Sequence, residues 1–77
     1  MREKPLLLAS KLKTIRQRLG LSQTEMVERL RFHGHYGRIS EYELGRRQPS
    51  ILTLLRYARA ARITLEEIVD DELELTN

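Results

Sequence analysis

The sequence predicts an all-α fold, a compact globule of five short helices, on three observations. Apolar residues recur at intervals of three or four along most of the chain, which places them on one face of a helix. Two segments open with the Ser/Thr-x-x-Glu pattern that caps a helix start. Aromatic residues make up only 5% of the chain, and β-branched residues do not alternate with polar ones, so strands are not expected.

The first predicted helix runs from about Leu6 to Leu19. One stripe of this helix is apolar and consists of Leu8, Leu12, Ile15 and Leu19. Its basic residues point in other directions, and they are Lys11, Lys13, Arg16 and Arg18. Gly20 supplies the left-handed backbone position that closes a helix.

The second predicted helix starts at Ser22, which forms a capping box with Glu25. It ends near Arg31 or Phe32. Its buried face consists of Met26, Val27 and Leu30.

A loop from Phe32 to Gly37 precedes a short third helix, predicted at about residues 36–44. Ile39 and Tyr42 are expected to point inward, and Gly45 is expected to end the helix. The segment 46–49 then forms an exposed connector. The third helix therefore presents its polar face to solvent.

Ser50 is predicted to cap a fourth helix from Ile51 to Arg62, and a second capping box, at Thr64 and Glu67, opens a fifth helix. The inward residues of the fourth helix are Leu54, Leu55, Ala58 and Ala61. Leu65, Ile68 and Val69 are the apolar residues of the fifth. We therefore expect one domain over residues 6–70, followed by an acidic C-terminal tail over residues 71–77.

Charge is distributed unevenly around a net value of +3. All 14 Lys and Arg lie in residues 1–62, together with five acids, which gives this part a net charge of +9. Residues 63–77 carry six acids and no base, a net charge of −6. A basic body favours a polyanionic partner such as nucleic acid, and the acidic tail is expected to point away from it.

Two motifs carry a family resemblance. Residues 21–30 read Leu-Ser-Gln-x-Glu-Met-Val-x-x-Leu, and residues 39–50 read Ile-Ser-x-Tyr-Glu-x-Gly-Arg-Arg-x-Pro-Ser. Together they resemble the phage repressor/Cro family of helix-turn-helix proteins, also called XRE, over about residues 8–69. The resemblance implies a lambda-repressor-like fold and a sequence-specific transcriptional regulator of duplex DNA, expected to be a repressor. The third helix would lie in the major groove.

The resemblance also implies roles for individual residues. Those expected to read bases, or to lie beside the base readers, are Tyr36, Gly37, Arg38, Ser40 and Glu41. Those expected to contact phosphates are Gln23, Thr24, Arg46, Arg47 and Gln48. Apart from the resemblance, His35 is expected either to cap a helix or to contact a phosphate. A structural bridge between Arg16 and Glu43 is expected to join the first and third helices. Alternatives remain open: Gly37 as an ordinary loop glycine, and the connector arginines as solvent-exposed side chains without a partner.

The chain departs from the family pattern in one place. Eight residues separate Leu30 from Ile39, where the family usually has about six. The two additional residues lengthen the turn at Phe32–His35, so the first residue of the recognition helix stays open. The longer turn is also a candidate to approach DNA.

Two copies are expected to bind DNA as a homodimer, because paired half-sites are read by paired domains. The candidate dimer surface consists of Leu65, Ile68, Val69, Leu73 and Leu75. An alternative is an antitoxin-like or adaptor module that binds a protein partner through the acidic tail. A toxin-type neighbouring gene would favour that alternative.

Other classes of function lack their residues. The chain has no cysteine, and His33 and His35 alone rarely hold zinc. The acids of residues 66–74 lack the order of a calcium loop, and there is no nucleophile elbow. We therefore expect no enzyme activity, no metal and no cofactor. No apolar run approaches the ~18 residues of a membrane span, so a cytoplasmic, nucleoid-associated protein of a prokaryote or phage is expected.

Overall fold

The computed structural model describes residues 7–32 and 35–75. In this part of the chain the secondary structure consists of five helices without a strand, which confirms the predicted all-α fold. The helices are α1 (Leu8–Arg18), α2 (Gln23–Arg29), α3 (Arg38–Glu43), α4 (Ile51–Ala61) and α5 (Leu65–Val69). The predicted start of the first helix at Leu6 lies outside the described residues.

Left-handed residues end four of the five helices. Gly20 follows α1 with φ at +72° and Gly45 follows α3 with φ at +73°, as predicted. The other two are arginines, since Arg31 after α2 has φ at +62° and Arg62 after α4 has φ at +58°. Glycine normally takes such positions, because a side chain is strained there. Both helices end close to their predicted positions, but the left-handed arginines were not predicted.

The helix starts follow the predicted caps closely. At α2 the Glu25 amide donates to Ser22 Oγ at 3.1 Å, and the Ser22 amide donates to Glu25 Oε1 at 2.8 Å. The hydrogen bond from the Ser22 amide to the carboxylate, helped by the Ser22 side chain, lowers the pKa of Glu25. Thr64 and Glu67 form the same reciprocal pair at α5, and Ser50 Oγ accepts the amide of Thr53 at the start of α4.

The third helix is shorter than predicted. It covers Arg38–Glu43 rather than residues 36–44, and Tyr36 and Gly37 form the turn before it. Ile39 and Tyr42 are buried, as predicted. Pro49, expected in an exposed connector, is buried instead.

Packing among the helices produces one core. α3 lies against α1 and α2, while α5 lies against α1 and α4. The buried residues of α4 are Thr53, Leu54, Tyr57 and Ala58. Leu55 and Ala61, which were predicted to point inward, are only half-buried. The buried apolar residues are Leu8, Leu12, Ile15, Met26, Val27, Leu30, Ile39, Tyr42, Leu54, Tyr57, Ala58 and Ile68.

Lys11, predicted to point away from the apolar stripe of the first helix, is buried. Its ammonium group donates to the carbonyl oxygens of Glu67, Asp70 and Leu73, each at 2.7 Å. The last carbonyls of a helix lack partners within the helix and favour a cation. Lys11 therefore ties the end of α5 and the following segment to α1.

The segment after α5 lies along α1. The Leu7 amide donates to Asp71 Oδ1 at 3.1 Å, and Arg18 Nη1 donates to the carbonyl oxygen of Leu75 at 3.4 Å. Leu75 is half-buried against the core. Residues 71–75 are thus part of the folded body.

The predicted dimer surface is largely internal. Ile68 is 0% exposed and belongs to the core, so it is unavailable to a second chain and that assignment is corrected. Leu65, Val69 and Leu75 are half-buried against the same core. Leu73 is the exposed member of the set, at 41%.

Candidate nucleic-acid interface

Two buried side chains anchor the short helix α3 in the core. Ile39 and Tyr42 lie one turn apart and point into the core. Phe32, in the loop before the helix, packs edge-on against Tyr42 with ring centroids 6.1 Å apart. These contacts leave the opposite face of α3 and its preceding turn to solvent.

A pair of charged residues fixes the C-terminal end of α3. Arg16 of α1 donates from Nε to Glu43 Oε2 at 2.7 Å and from Nη2 to Glu43 Oε1 at 3.0 Å. Arg16 Nη1 also donates to the carbonyl oxygen of Leu21 at 3.0 Å. The hydrogen bonds to Glu43 raise the pKa of Arg16, against the opposing effect of burial. Arg16 therefore contacts both α3 and the turn before α2.

Gln23, predicted to contact phosphate, is the first residue of α2 and is half-buried. Its Nε2 donates to Glu43 Oε1 at 3.2 Å. The amide nitrogen carries two hydrogens, so this bond sets the side-chain direction and leaves one donor. Thr24, the next predicted phosphate contact, is exposed.

Tyr36 lies in the turn before α3 and is 51% exposed. Its hydroxyl donates to Glu28 Oε1 of α2 at 2.8 Å, and this bond, with the carboxylate charge, raises the pKa of Tyr36. Sequence reasoning missed Glu28, because eight residues and a turn separate it from Tyr36 and no helical spacing links them. The bond gives an otherwise free aromatic ring a defined direction.

Glu41 stands at the middle of the exposed face of α3, between two arginines. Arg47 Nε lies 3.3 Å from Glu41 Oε1, and Arg38 Nε lies 4.0 Å from the same oxygen. All three side chains are partly or well exposed. Glu41, predicted to read a base, and Arg47, predicted to contact a phosphate, therefore form an ion pair.

The remaining predicted site residues lie around the same face. His35 is exposed in the turn, with Nδ1 3.4 Å from Nη2 of Arg38. Gly37 is exposed immediately before α3, and Ser40 is half-buried within it. Arg46 and Gln48 are exposed in the segment after α3.

Within residues 7–32 and 35–75, the structure contains no group of three or more His, Asp or Glu that could hold a metal ion. His33 and Gly34, part of the sequence pattern that invited a metal interpretation, lie outside those ranges. Of the described helices, none is long and apolar enough to cross a membrane.

Comparison with protein-family models gives one match. The model described as Helix-turn-helix covers residues 12–68, from the middle of α1 to the end of α5. The match includes α2, α3 and the turn between them. Neither the comparison with curated proteins nor the comparison with solved structures gives a match.

Proposed function

We propose, from the premise that this chain belongs to the XRE/lambda-repressor-like helix-turn-helix family of DNA-binding regulators, that it is a repressor that reads duplex DNA with α3. Members of this family are generally not enzymes. The proposal rests mainly on one observation: Ile39 and Tyr42 anchor α3 in the core and leave its polar face exposed. A helix presented this way fits the ~12 Å major groove of B-DNA.

Residues at the start of α3 and in the turn before it would contact the bases. Arg38 can donate two hydrogen bonds to guanine, and Glu41 can accept from the amino group of cytosine. Tyr36, directed by Glu28, and Ser40 lie beside them. Gly37 has open space where a Cβ would be, so it allows the backbone to approach the groove wall.

Phosphate contacts surround the base readers. Gln23 and Thr24 lie at the start of α2, where backbone amides and the helix dipole favour an anion. His35, Arg46, Arg47 and Gln48 are exposed around α3, and the charges of Arg46 and Arg47 attract DNA at long range. These contacts supply affinity and register, while base contacts supply the choice of sequence.

Two copies acting together would read two half-sites about one helical turn apart. Binding by a dimer also doubles the number of phosphate contacts, and therefore steepens the dependence of affinity on salt. Occupation of a promoter by such a dimer would block transcription, in the nucleoid of a prokaryote or on phage DNA.

Selection of bound duplexes from a random pool tests the proposal directly. We expect a two-part motif, and an affinity that falls steeply as salt rises. Selected sequences no different from the starting pool, or no binding at low salt, would refute a sequence-specific role.

Two variants test, on the selected duplex, which residues read bases and which contact phosphates. Glu41→Ala should change the preferred base at one position of each half-site, whereas Arg46→Ala should weaken binding to all sequences by a similar factor. Glu66→Ala and Arg62→Ala are the matched controls, since they remove the same charges from α5 and from the residue after α4, outside α3 and its flanking segments. The reverse pattern, with Arg46→Ala altering preference, would contradict the assignments.

A further inference from the structure

Four arginines line a groove of about 410 Å³ between the end of α2 and α4. Its lining consists of Arg29, Leu30, Arg31, Arg56, Arg59 and Ala60, with no acid among them. Arg56 Nη1 donates to the carbonyl oxygen of Leu30 at 3.1 Å. The guanidinium groups of the other three make no hydrogen bond or ion pair within the described residues. Four like charges gathered without a counter-charge form a strong site for an anion.

One residue of the groove has a strained backbone. Arg31 has φ at +62°, a conformation that costs an L-residue roughly 1–2 kcal/mol and glycine almost nothing. Arg62, outside the groove, has φ at +58°. The strain therefore assigns no role to the Arg31 side chain by itself, and it makes glycine a tolerated replacement at both positions.

The same chain carries a segment of opposite charge. Residues 70–75 follow α5, and the carboxylates of Glu72 and Glu74 are exposed, with no partner within the described residues. Between them Leu73 is 41% exposed. Lys11 fixes this segment through the carbonyl oxygens of Asp70 and Leu73. The segment therefore presents two carboxylates and one leucine without further ordering.

We propose that the acidic segment 70–75 of one copy docks in the arginine groove of a second copy. Arginine binds carboxylate through two parallel hydrogen bonds, so Glu72 and Glu74 would bind Arg29, Arg31 and Arg59. Leu73 would lie against the half-buried Ala60 at the groove wall.

The groove and the acidic segment are separate surfaces of the chain. The groove lies between α2 and α4, whereas the acidic segment lies along α1, so neither surface covers the other within one chain. Two copies related by a twofold axis would exchange two identical contacts. The interface deepens the two-copy binding proposed above, but its test needs no DNA, so either proposal can fail without the other.

Charge reversal of each side tests the contact in the full-length protein. We expect sedimentation equilibrium to find a wild-type dimer that weakens as salt rises. Arg29→Glu/Arg59→Glu and Glu72→Arg/Glu74→Arg should each raise the dimer dissociation constant at least about tenfold, because every dimer loses the pairs twice. Circular dichroism confirms that each variant is folded.

Mixing the two reversed variants is the decisive step. In the mixed dimer the two introduced glutamates in the groove of one variant meet the two introduced arginines in the segment of the other, and the unchanged groove meets the unchanged segment. Both contacts then return, so the mixture should dimerise as the wild type does. Failure of the mixture to dimerise, with both variants folded, would overturn the proposal.

Arg31→Gly and Arg62→Gly form a matched pair, because both replace a left-handed arginine after a helix. Arg31→Gly should weaken the dimer several-fold and leave the protein at least as stable as the wild type. Arg62 does not line the groove, so Arg62→Gly should leave the dimer unchanged. Equal effects would mean that net charge alone matters, and would overturn the proposal.

Two further results would overturn it. One is a wild-type chain that stays monomeric at low salt and high concentration. The other is a wild-type level of dimer in Arg29→Glu/Arg59→Glu combined with weaker DNA binding, which would assign the groove to DNA phosphates instead.

Discussion

Arg16 and Glu43 join α1 to the end of α3 through two hydrogen bonds of 2.7 and 3.0 Å. The Glu43 side chain is only 4% exposed, and Arg16 supplies the counter-charge beside it. A bidentate pair also fixes direction, because both nitrogens of the guanidinium fork must meet both oxygens. The pair therefore positions α3 relative to the rest of the fold.

Replacing Arg16 alone should be more harmful than replacing both partners. Arg16→Met leaves the Glu43 carboxylate buried without its counter-charge, and we expect the free energy of unfolding to fall by about 3 kcal/mol. Arg16→Met/Glu43→Leu removes both charges and should lose less. Urea denaturation of both single variants and the double variant measures the coupling between the two residues. Additive losses would show that the bond contributes nothing beyond each side chain's own packing.

Lys11 supports the end of α5 in a way that only an ammonium group can. Lys11→Met keeps much of the apolar stem but leaves three carbonyl oxygens without their donor. We expect a loss of about 2–4 kcal/mol in the free energy of unfolding, and faster amide exchange in residues 67–75.

Lys13→Met is the matched control for this prediction. Lys13 is exposed on the same helix, so its replacement should change stability by no more than about 0.5 kcal/mol. Equal losses in the two variants would mean that the effect follows from helix charge and not from the carbonyl contacts.

The helices could be predicted because their signals are local. Ser22 and Thr64 start helices through partners three residues away, and Gly20 and Gly45 end helices through their own backbone freedom. Arg31 ends α2 without such a signal, because packing around the helix end outweighs the strain of a side chain there. The burial of Lys11 depends on carbonyls more than fifty residues away, which no helical spacing can reveal.

The candidate site was predicted in outline for a different reason. The family pattern supplied the residues of α3 and its flanks, including Arg16 and Glu43. It did not supply the ion pair between Glu41 and Arg47 or the bond from Tyr36 to Glu28, because these arise from this chain's own turn geometry. The assignment of Ile68 to a dimer surface was wrong, because the apolar face of a short amphipathic helix packs into the core of its own chain.

The bond between Tyr36 and Glu28 predicts a dependence on pH. It raises the pKa of Tyr36 above the ordinary value near 10, because the hydroxyl proton is held by the carboxylate. The contribution of this bond to stability is therefore fully present below that ordinary pKa and disappears as pH rises through the raised value.

Glu28→Gln should return the pKa of Tyr36 to its ordinary value, as measured by NMR titration of the ring carbon that bears the hydroxyl. Glu41→Gln, which removes a neighbouring carboxylate not bonded to Tyr36, should leave it unchanged, and equal shifts would contradict the assignment.

Tyr57 predicts a stabilising substitution in the core. Its ring is fully buried and its hydroxyl has no hydrogen-bond partner within the described residues, while burial raises the pKa of the phenol. A buried hydroxyl without a partner loses its hydration and gains nothing in return, at a cost of roughly 1–3 kcal/mol. Tyr57→Phe keeps the ring and removes the polar atom, so the free energy of unfolding should stay the same or rise by up to about 1 kcal/mol.

Tyr57→Ala is the contrasting variant, and it should lower the free energy of unfolding by about 3–5 kcal/mol because it opens a cavity. If urea denaturation finds Tyr57→Phe less stable than the wild type by more than about 1 kcal/mol, a buried water holds the hydroxyl, and the polar centre of this core is hydrated rather than dry.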